Sequence, residues 1–202
     1  MQFLLAGEEQ FEAVYQFCQL MIRTDARMSF TDVTERSVLR SWYDDPAVQL
    51  YAAVDLPSAA GLSGAAGAAE PAAPLVASPP VVASPPVVAL FRARRGLAHK
   101  AHSCDIACAV HPDYRRRNLA TDLTLFALAD QKARGVLIAR TYVYSWNTAS
   151  LATIGKAGFV EGGRVLMHSY DAAKGGWVDD VLFHKVLQDP DEWLAMYDQA
   201  AR

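Results

Sequence analysis

Hydrophobic positions along the chain change period several times, and each change marks an expected element. Phe11, Val14, Tyr15, Cys18 and Ile22 recur at helical spacing behind Glu8 and Glu9, which suit a first turn, so a helix is expected from about Glu8 to Ile22. A second helix is expected after Asp32, where Asp32 and Glu35 have capping-box spacing and Val38, Leu39 and Trp42 would form the buried stripe. Val48 to Val54 is β-branched and aromatic and reads as a strand; strand-like sequence returns at Val87 to Phe91 and again at Ser103 to Val110. After the turn His111-Pro112-Asp113-Tyr114, Leu119, Leu123 and Phe126 share a helix face, with Gly135 just past the helix end. Val136 to Trp146 is rich in strand formers, residues 148–157 form a short helix stopped by Gly158, and Phe159 to Tyr170 and Trp177 to Leu187 read as strands joined across Gly175-Gly176. Asp189-Pro190-Asp191-Glu192 opens a last helix, so residues 191–202 are read as a C-terminal helix after a domain of residues 1–190. This order predicts an α/β (α+β) sheet with one parallel strand–helix–strand crossover.

Composition changes the picture at one place. Residues 56–86 are almost entirely Ala, Pro, Gly, Ser and Val, and Val76-Ala77-Ser78-Pro79-Pro80-Val81 recurs as Val82-Ala83-Ser84-Pro85-Pro86-Val87. Repeated Ser-Pro-Pro excludes a helix or a central strand, so the segment reads as a disordered Ala/Pro-rich insertion, a solvated spacer. Its length adds little closure entropy. The 202 residues suit one domain, and 52% hydrophobic against 20% charged residues allow a real core. A net charge of −3 argues against a general nucleic-acid or polybasic membrane binder. Cys18, Cys104 and Cys108 make no disulfide framework and fit a reducing, cytoplasmic setting. The N-terminus lacks the basic region of a signal peptide, and the uncharged stretch Pro71 to Phe91 is too proline-rich to span a membrane. No zinc ligand set can be assembled, so no metal is expected.

The segment Pro112-Asp113-Tyr114-Arg115-Arg116-Arg117-Asn118-Leu119-Ala120-Thr121 carries the most chemistry. It joins a strand to an amphipathic helix, where free backbone N–H groups and the helix dipole favour an anion. Arg115, Arg116 and Arg117 oppose the dipole and are explained by an anionic ligand such as a pyrophosphate. A solvated basic turn before an ordinary helix is the plain alternative, and nucleic-acid phosphate is a third.

This segment resembles the acetyl-CoA-binding motif of the GNAT superfamily of N-acetyltransferases, Gln/Arg-x-x-Gly-x-Gly/Ala: Arg115 matches its first position, Ala120 its last, and Asn118 stands where glycine is usual. Asn147-Thr148-Ala149-Ser150 followed by Gly155-Lys156-Ala157-Gly158-Phe159 resembles the family's later motif, and Gly176-Trp177-Val178-Asp179-Asp180 the Gly-x-Trp-x-Asp signature of phosphinothricin-acetyltransferase-like members. The resemblance spans about Val48 to Leu187. It implies a GNAT-like twisted mixed sheet flanked by helices, acetyl-CoA as cosubstrate, and direct acyl transfer to a primary amine of a small molecule.

By that resemblance Val110 supplies a backbone N–H to the oxyanion, Arg115, Arg116, Arg117, Asn118, Leu119, Ala120 and Thr121 hold pyrophosphate, and Asn147 and Lys156 contact CoA. Asp105 and His102 match positions where such enzymes carry a base, although on a strand the two point to opposite faces unless a bulge intervenes. Where many members carry a tyrosine acid this chain has Ile154, so the thiolate departs unaided or Tyr144 or Ser145 replaces the acid. Each of these residues also has an ordinary structural role: Asn147 as a helix N-cap, Tyr144 as a half-buried strand aromatic, Asp105 and His102 as polar strand residues. A covalent cysteine is disfavoured, since buried free cysteine is common. A homodimer follows only by family analogy. A degenerate CoA-binding module without turnover, motivated by Asn118 and Ile154, and a protein- or tRNA-directed acetyltransferase remain as rival readings.

Overall fold

Seven strands form one sheet, in the spatial order Gln2–Leu5, Val48–Val54, Val87–Arg95, Ser103–Val110, Ile138–Tyr144, Gly176–Val186 and Val160–Asp171. In chain order the elements are β1 (Gln2–Leu5), α1 (Phe11–Thr24), α2 (Arg36–Asp44), β2 (Val48–Val54), β3 (Val87–Arg95), β4 (Ser103–Val110), α3 (Leu119–Ala133), β5 (Ile138–Tyr144), α4 (Thr148–Lys156), β6 (Val160–Asp171) and β7 (Gly176–Val186). The computed structural model describes residues 1–24, 29–56, 85–171, 174–189 and 191–192. All neighbouring strands are antiparallel except β4 and β5, which run parallel across the α3 crossover. This is the mixed sheet flanked by helices that the sequence predicts.

The two faces of the sheet carry separate cores. On one face Val14, Phe17 and Met21 of α1 and Leu39 of α2 pack against Leu50, Ala52, Leu90 and Ala109. On the other, Leu119, Leu123 and Leu128 of α3 and Ile154 of α4 pack against Phe91, Ile106, Val143 and Phe183. Strand alternation therefore sends even-numbered β4 residues to the α3 side and odd-numbered ones to the α1 side. Tyr51 locks α3 to β2: its hydroxyl donates to Asp130 at 2.5 Å and accepts from Gln131 Nε2 at 2.7 Å. These bonds fix the helix whose N-terminus carries the basic turn.

Four details differ from the sequence reading. Strand β1 was not foreseen; it is four residues long and exists by pairing with β2, a contact no local periodicity reports. Asp32 does not cap α2, whose N-cap is Glu35 with no side-chain cap bond. Phe126 is 39% exposed and sits at the rim against the rings of Phe3 and Tyr51, unlike the buried Leu119 and Leu123. Strand β6 is exposed along nearly its whole length and breaks register twice against β7. The expected insertion lies outside the described residues over 57–84, and so does all of the expected last helix beyond residue 192. Among the described residues no helix is long and apolar enough to cross a membrane.

At the two ends of the β2–β3 connection, Asp55 N donates to the Pro86 carbonyl at 3.2 Å. The strand ends are thus already apposed. Removing residues 60–82 is expected to preserve cooperative unfolding and to move stability by only about 1 kcal/mol, because closure entropy varies slowly with the length of a connection. Thermal unfolding of the shortened chain checks this; loss of cooperative unfolding contradicts it.

Candidate functional site

Strands β4 and β5 pair only at Ser103–Asp105 against Ile138–Arg140. The Thr141 hydroxyl then donates to the Ile106 carbonyl at 3.1 Å, and beyond that row no ladder joins the two strands. The sheet therefore opens between them toward the end of β4. Backbone direction follows from the β3 ladder. His111 N donates to the Val88 carbonyl and the Ser103 carbonyl accepts from Gly96 N, so odd-numbered residues bond to β3. The N–H groups of Cys108 and Val110 consequently point into the opening.

Immediately after β4 the chain makes a 3-10 turn over Pro112–Tyr114. Asp113 N donates to His111 Nδ1 at 3.2 Å, and Tyr114 N donates to the His111 carbonyl at 2.9 Å. The Tyr114 hydroxyl donates to Asp55 at 2.6 Å, tying the turn to the end of β2. Arg116 and Asn118 then adopt left-handed backbone, with φ of 64° and 57°. Asn tolerates that conformation because its short polar side chain can hydrogen-bond locally; Arg116 lacks that compensation and is the costlier of the two. The first bond of α3 is Asp122 N to the Asn118 carbonyl, and Asn118 provides no side-chain cap. Among the described residues no protein acceptor takes the backbone N–H groups of residues 116–121. A run of amides alternating through left-handed backbone at a helix start forms an anion-binding concavity.

Those amides border a cavity of about 760 Å³ that passes through the opening in the sheet. On the α3 side it is lined by Ile106, Cys108, Val110, Thr124, Thr141 and Val143, and on the other by Ser29, Ala107, Ala109, Tyr142, Tyr144 and Asp180. Of the residues singled out from the sequence, Val110, Arg115, Arg116, Asn118, Leu119, Ala120, Thr121, Asn147, Lys156 and Tyr144 all lie on its wall. The Arg115 Nε donates to the Val110 carbonyl at 3.2 Å, bracing the turn against the strand. Asn147 caps α4, its Oδ1 accepting from Ser150 N at 3.1 Å. Arg117 is off the wall, its guanidinium over the Tyr114 ring.

Asp105 and His102 are not brought to the cavity. Asp105 is exposed at the last paired row, flanked in register by Arg94 and Arg140, below the point where the strands part. His102 is exposed before β4 begins, its carbonyl taken by Leu137 N. Sequence reading missed Tyr142 and Asp180. Asp180 is the second of the Asp179-Asp180 pair, and only the β5–β7 register, which sets it opposite Tyr144, distinguishes the two. The Cys108 thiol is pushed up to about 12 by burial, partly offset by a hydrogen bond with Thr124, so it is uncharged near neutral pH and a poor nucleophile.

No family model matches the chain, and no curated protein matches it in sequence. Solved structures do match in fold. A ribosomal-protein-alanine N-acetyltransferase from Brucella melitensis superposes with a TM-score of 0.68 at 15% identity, covering 92% of this chain and 99% of its own. The protein yncA from Salmonella typhimurium, solved with its cofactor acetyl-CoA, gives 0.69 at 13% identity, covering 94% and 95%. A GNAT-family acetyltransferase from Streptococcus pneumoniae gives 0.64 at 14% identity, covering 92% and 99%. At such identities the likeness is one of fold: the chain has the architecture of GNAT acetyltransferases over nearly its whole described length.

Proposed function

We propose that this protein is an acyl-CoA-dependent N-acyltransferase that moves acetyl from acetyl-CoA to a primary amine of a small molecule by direct attack. The observation that carries this reading is the run of amides at residues 116–121 with no acceptor among the described residues, opening onto a cavity that crosses the sheet. The amides and Arg115 and Arg116 take the pyrophosphate, and the parted strands admit the pantetheine arm with its thioester beside Val110. The ammonium of the acceptor loses one proton, since only the neutral nitrogen has a lone pair to give. The nitrogen then attacks the thioester carbon, and the oxyanion that forms lies near the Val110 N–H. The C–S bond breaks as the carbonyl re-forms. The nitrogen gives its second proton to solvent, the thiolate takes one from Tyr144, a phenol on the wall, the tyrosinate regains one from solvent, and the amide and CoA leave.

Asp105 has no part in this scheme, and neither does a covalent cysteine. The expected result is amine-dependent release of CoA thiol from acetyl-CoA. Asp105→Ala is expected to retain activity within about threefold, the range of an exposed substitution outside a site. Tyr144→Phe is expected to lower kcat by about 10² at unchanged acetyl-CoA affinity, the size of a lost general acid. Ile154, buried within α4 where many GNAT members carry a tyrosine acid, favours with Asn118 a CoA-binding module without turnover. Acetyl-CoA binding with no thiol release on any amine gives that reading the field and defeats this one.

A further inference from the structure

Asp180 is 3% exposed and lies on the cavity wall. Its Oδ2 accepts from the Ser169 hydroxyl at 2.9 Å and meets His168 Nδ1 at 2.8 Å. Its Oδ1 is buried and has no hydrogen-bond partner among the described residues. A carboxylate oxygen left in that condition wants a donor. Its neighbours Val181 and Phe183 turn to the α3-side core, and Tyr144 lies directly opposite it on β5. Asp180 therefore belongs to the end of the cavity away from α3. Extending the β4–β5 register past its last pair puts Tyr144 level with Ala109, the residue before Val110.

Charge is divided along this cavity. The cations on its wall, Arg115, Arg116 and Lys156, come from the basic turn and α4. Asp180 is the only acid among the described wall residues, and Tyr142, Tyr144 and Trp146 supply aromatic surface on the same wall. Lys174 is off the wall, with its ammonium over the Trp146 ring at 4.2 Å. This end thus offers one unfilled anionic acceptor beside aromatic rings and no wall cation for a carboxylate.

We propose that Asp180 is the acceptor anchor: its Oδ1 binds the ammonium of a primary amine with an aromatic or apolar body and no carboxylate. The inference rests on the acyl-transfer reading above and narrows its acceptor from small-molecule primary amines in general to carboxylate-free ones. Asp180 holds the ammonium by hydrogen bond, one proton passes to solvent, and the nitrogen so released attacks; no bond to Asp180 forms or breaks. Ser169 and His168 fix the carboxylate through Oδ2 and leave Oδ1 for the guest.

The test uses 2-phenylethylamine and phenylalanine, which differ by the carboxylate, with thiol release from acetyl-CoA as readout and acetyl-CoA titration in parallel. For the unmodified protein, kcat/KM is expected to favour 2-phenylethylamine by about tenfold or more. Asp180→Asn is expected to raise KM for 2-phenylethylamine by about tenfold or more and to keep acetyl-CoA affinity within about twofold. The wild-type preference is measured independently of whether the variant folds. Equal use of the two probes, turnover of neither with acetyl-CoA bound, or an unchanged KM in a folded Asp180→Asn overturns the anchor and leaves acetyl-CoA binding standing. Failure of the unmodified protein to bind acetyl-CoA overturns the acyl-transfer reading, and the anchor with it.

Discussion

Thr121→Asp is expected to weaken acetyl-CoA binding by about 100-fold or more, equivalent to about 2.7 kcal/mol, without weakening the fold. Thr121 stands in the first turn of α3, on the cavity wall, among amides that no acceptor takes among the described residues. A carboxylate there would do for those amides what a phosphate does, accepting their hydrogen bonds and complementing the positive end of the helix. Stability should hold or rise by about 0.3–1 kcal/mol, the usual gain for an acid in a first turn. The same carboxylate would occupy the anion's place and repel it. Opposite movement of stability and affinity is the signature, read from thermal unfolding and calorimetric titration of one variant. Unchanged affinity in a folded Thr121→Asp protein removes the phosphate from this turn.

Val110→Pro is expected to lower kcat by about 10²–10³ with acetyl-CoA affinity held within about threefold, the size of one lost oxyanion donor. The substitution is tolerable for a specific reason. The β3 ladder runs through odd-numbered β4 residues, so Val110 gives β3 no N–H, and on its other side β5 has parted. Proline removes an amide that holds no strand together. Ala109 before it is already extended, the conformation that a following proline favours. Single-turnover thiol release, with binding measured separately, distinguishes lost chemistry from lost affinity. A normal kcat in a folded variant places the oxyanion elsewhere.

The sequence was most legible where structure is local. Val48–Val54 and Ser103–Val110 are the strands expected, bound for bound, because each run of β-formers ends at a turn signal. The basic turn was readable because its chemistry is contiguous: strand end, three arginines, a residue tolerant of left-handed backbone, and a helix. Left-handed Arg116 was not readable, since nothing in its side chain asks for that φ. Asp105 and Asp180 show the limit most clearly. Motif spacing favoured Asp105, but whether a strand acid reaches the cavity depends on the row where β4 and β5 separate and on the face it points to. Both are set by pairing between segments far apart in the chain, and the β5–β7 register selects Asp180 in the same way. Likewise β1 exists only by joining β2, and Phe126 is left at the rim by the position of the Phe3 and Tyr51 rings.

The amides of residues 116–121 bear the whole account, and they can be watched directly. In a 1H–15N correlation spectrum of the labelled protein titrated with CoA, these backbone N–H resonances are expected to move downfield together, saturating with the calorimetric affinity. Binding of CoA that perturbs other resonances and leaves residues 116–121 in place would contradict it.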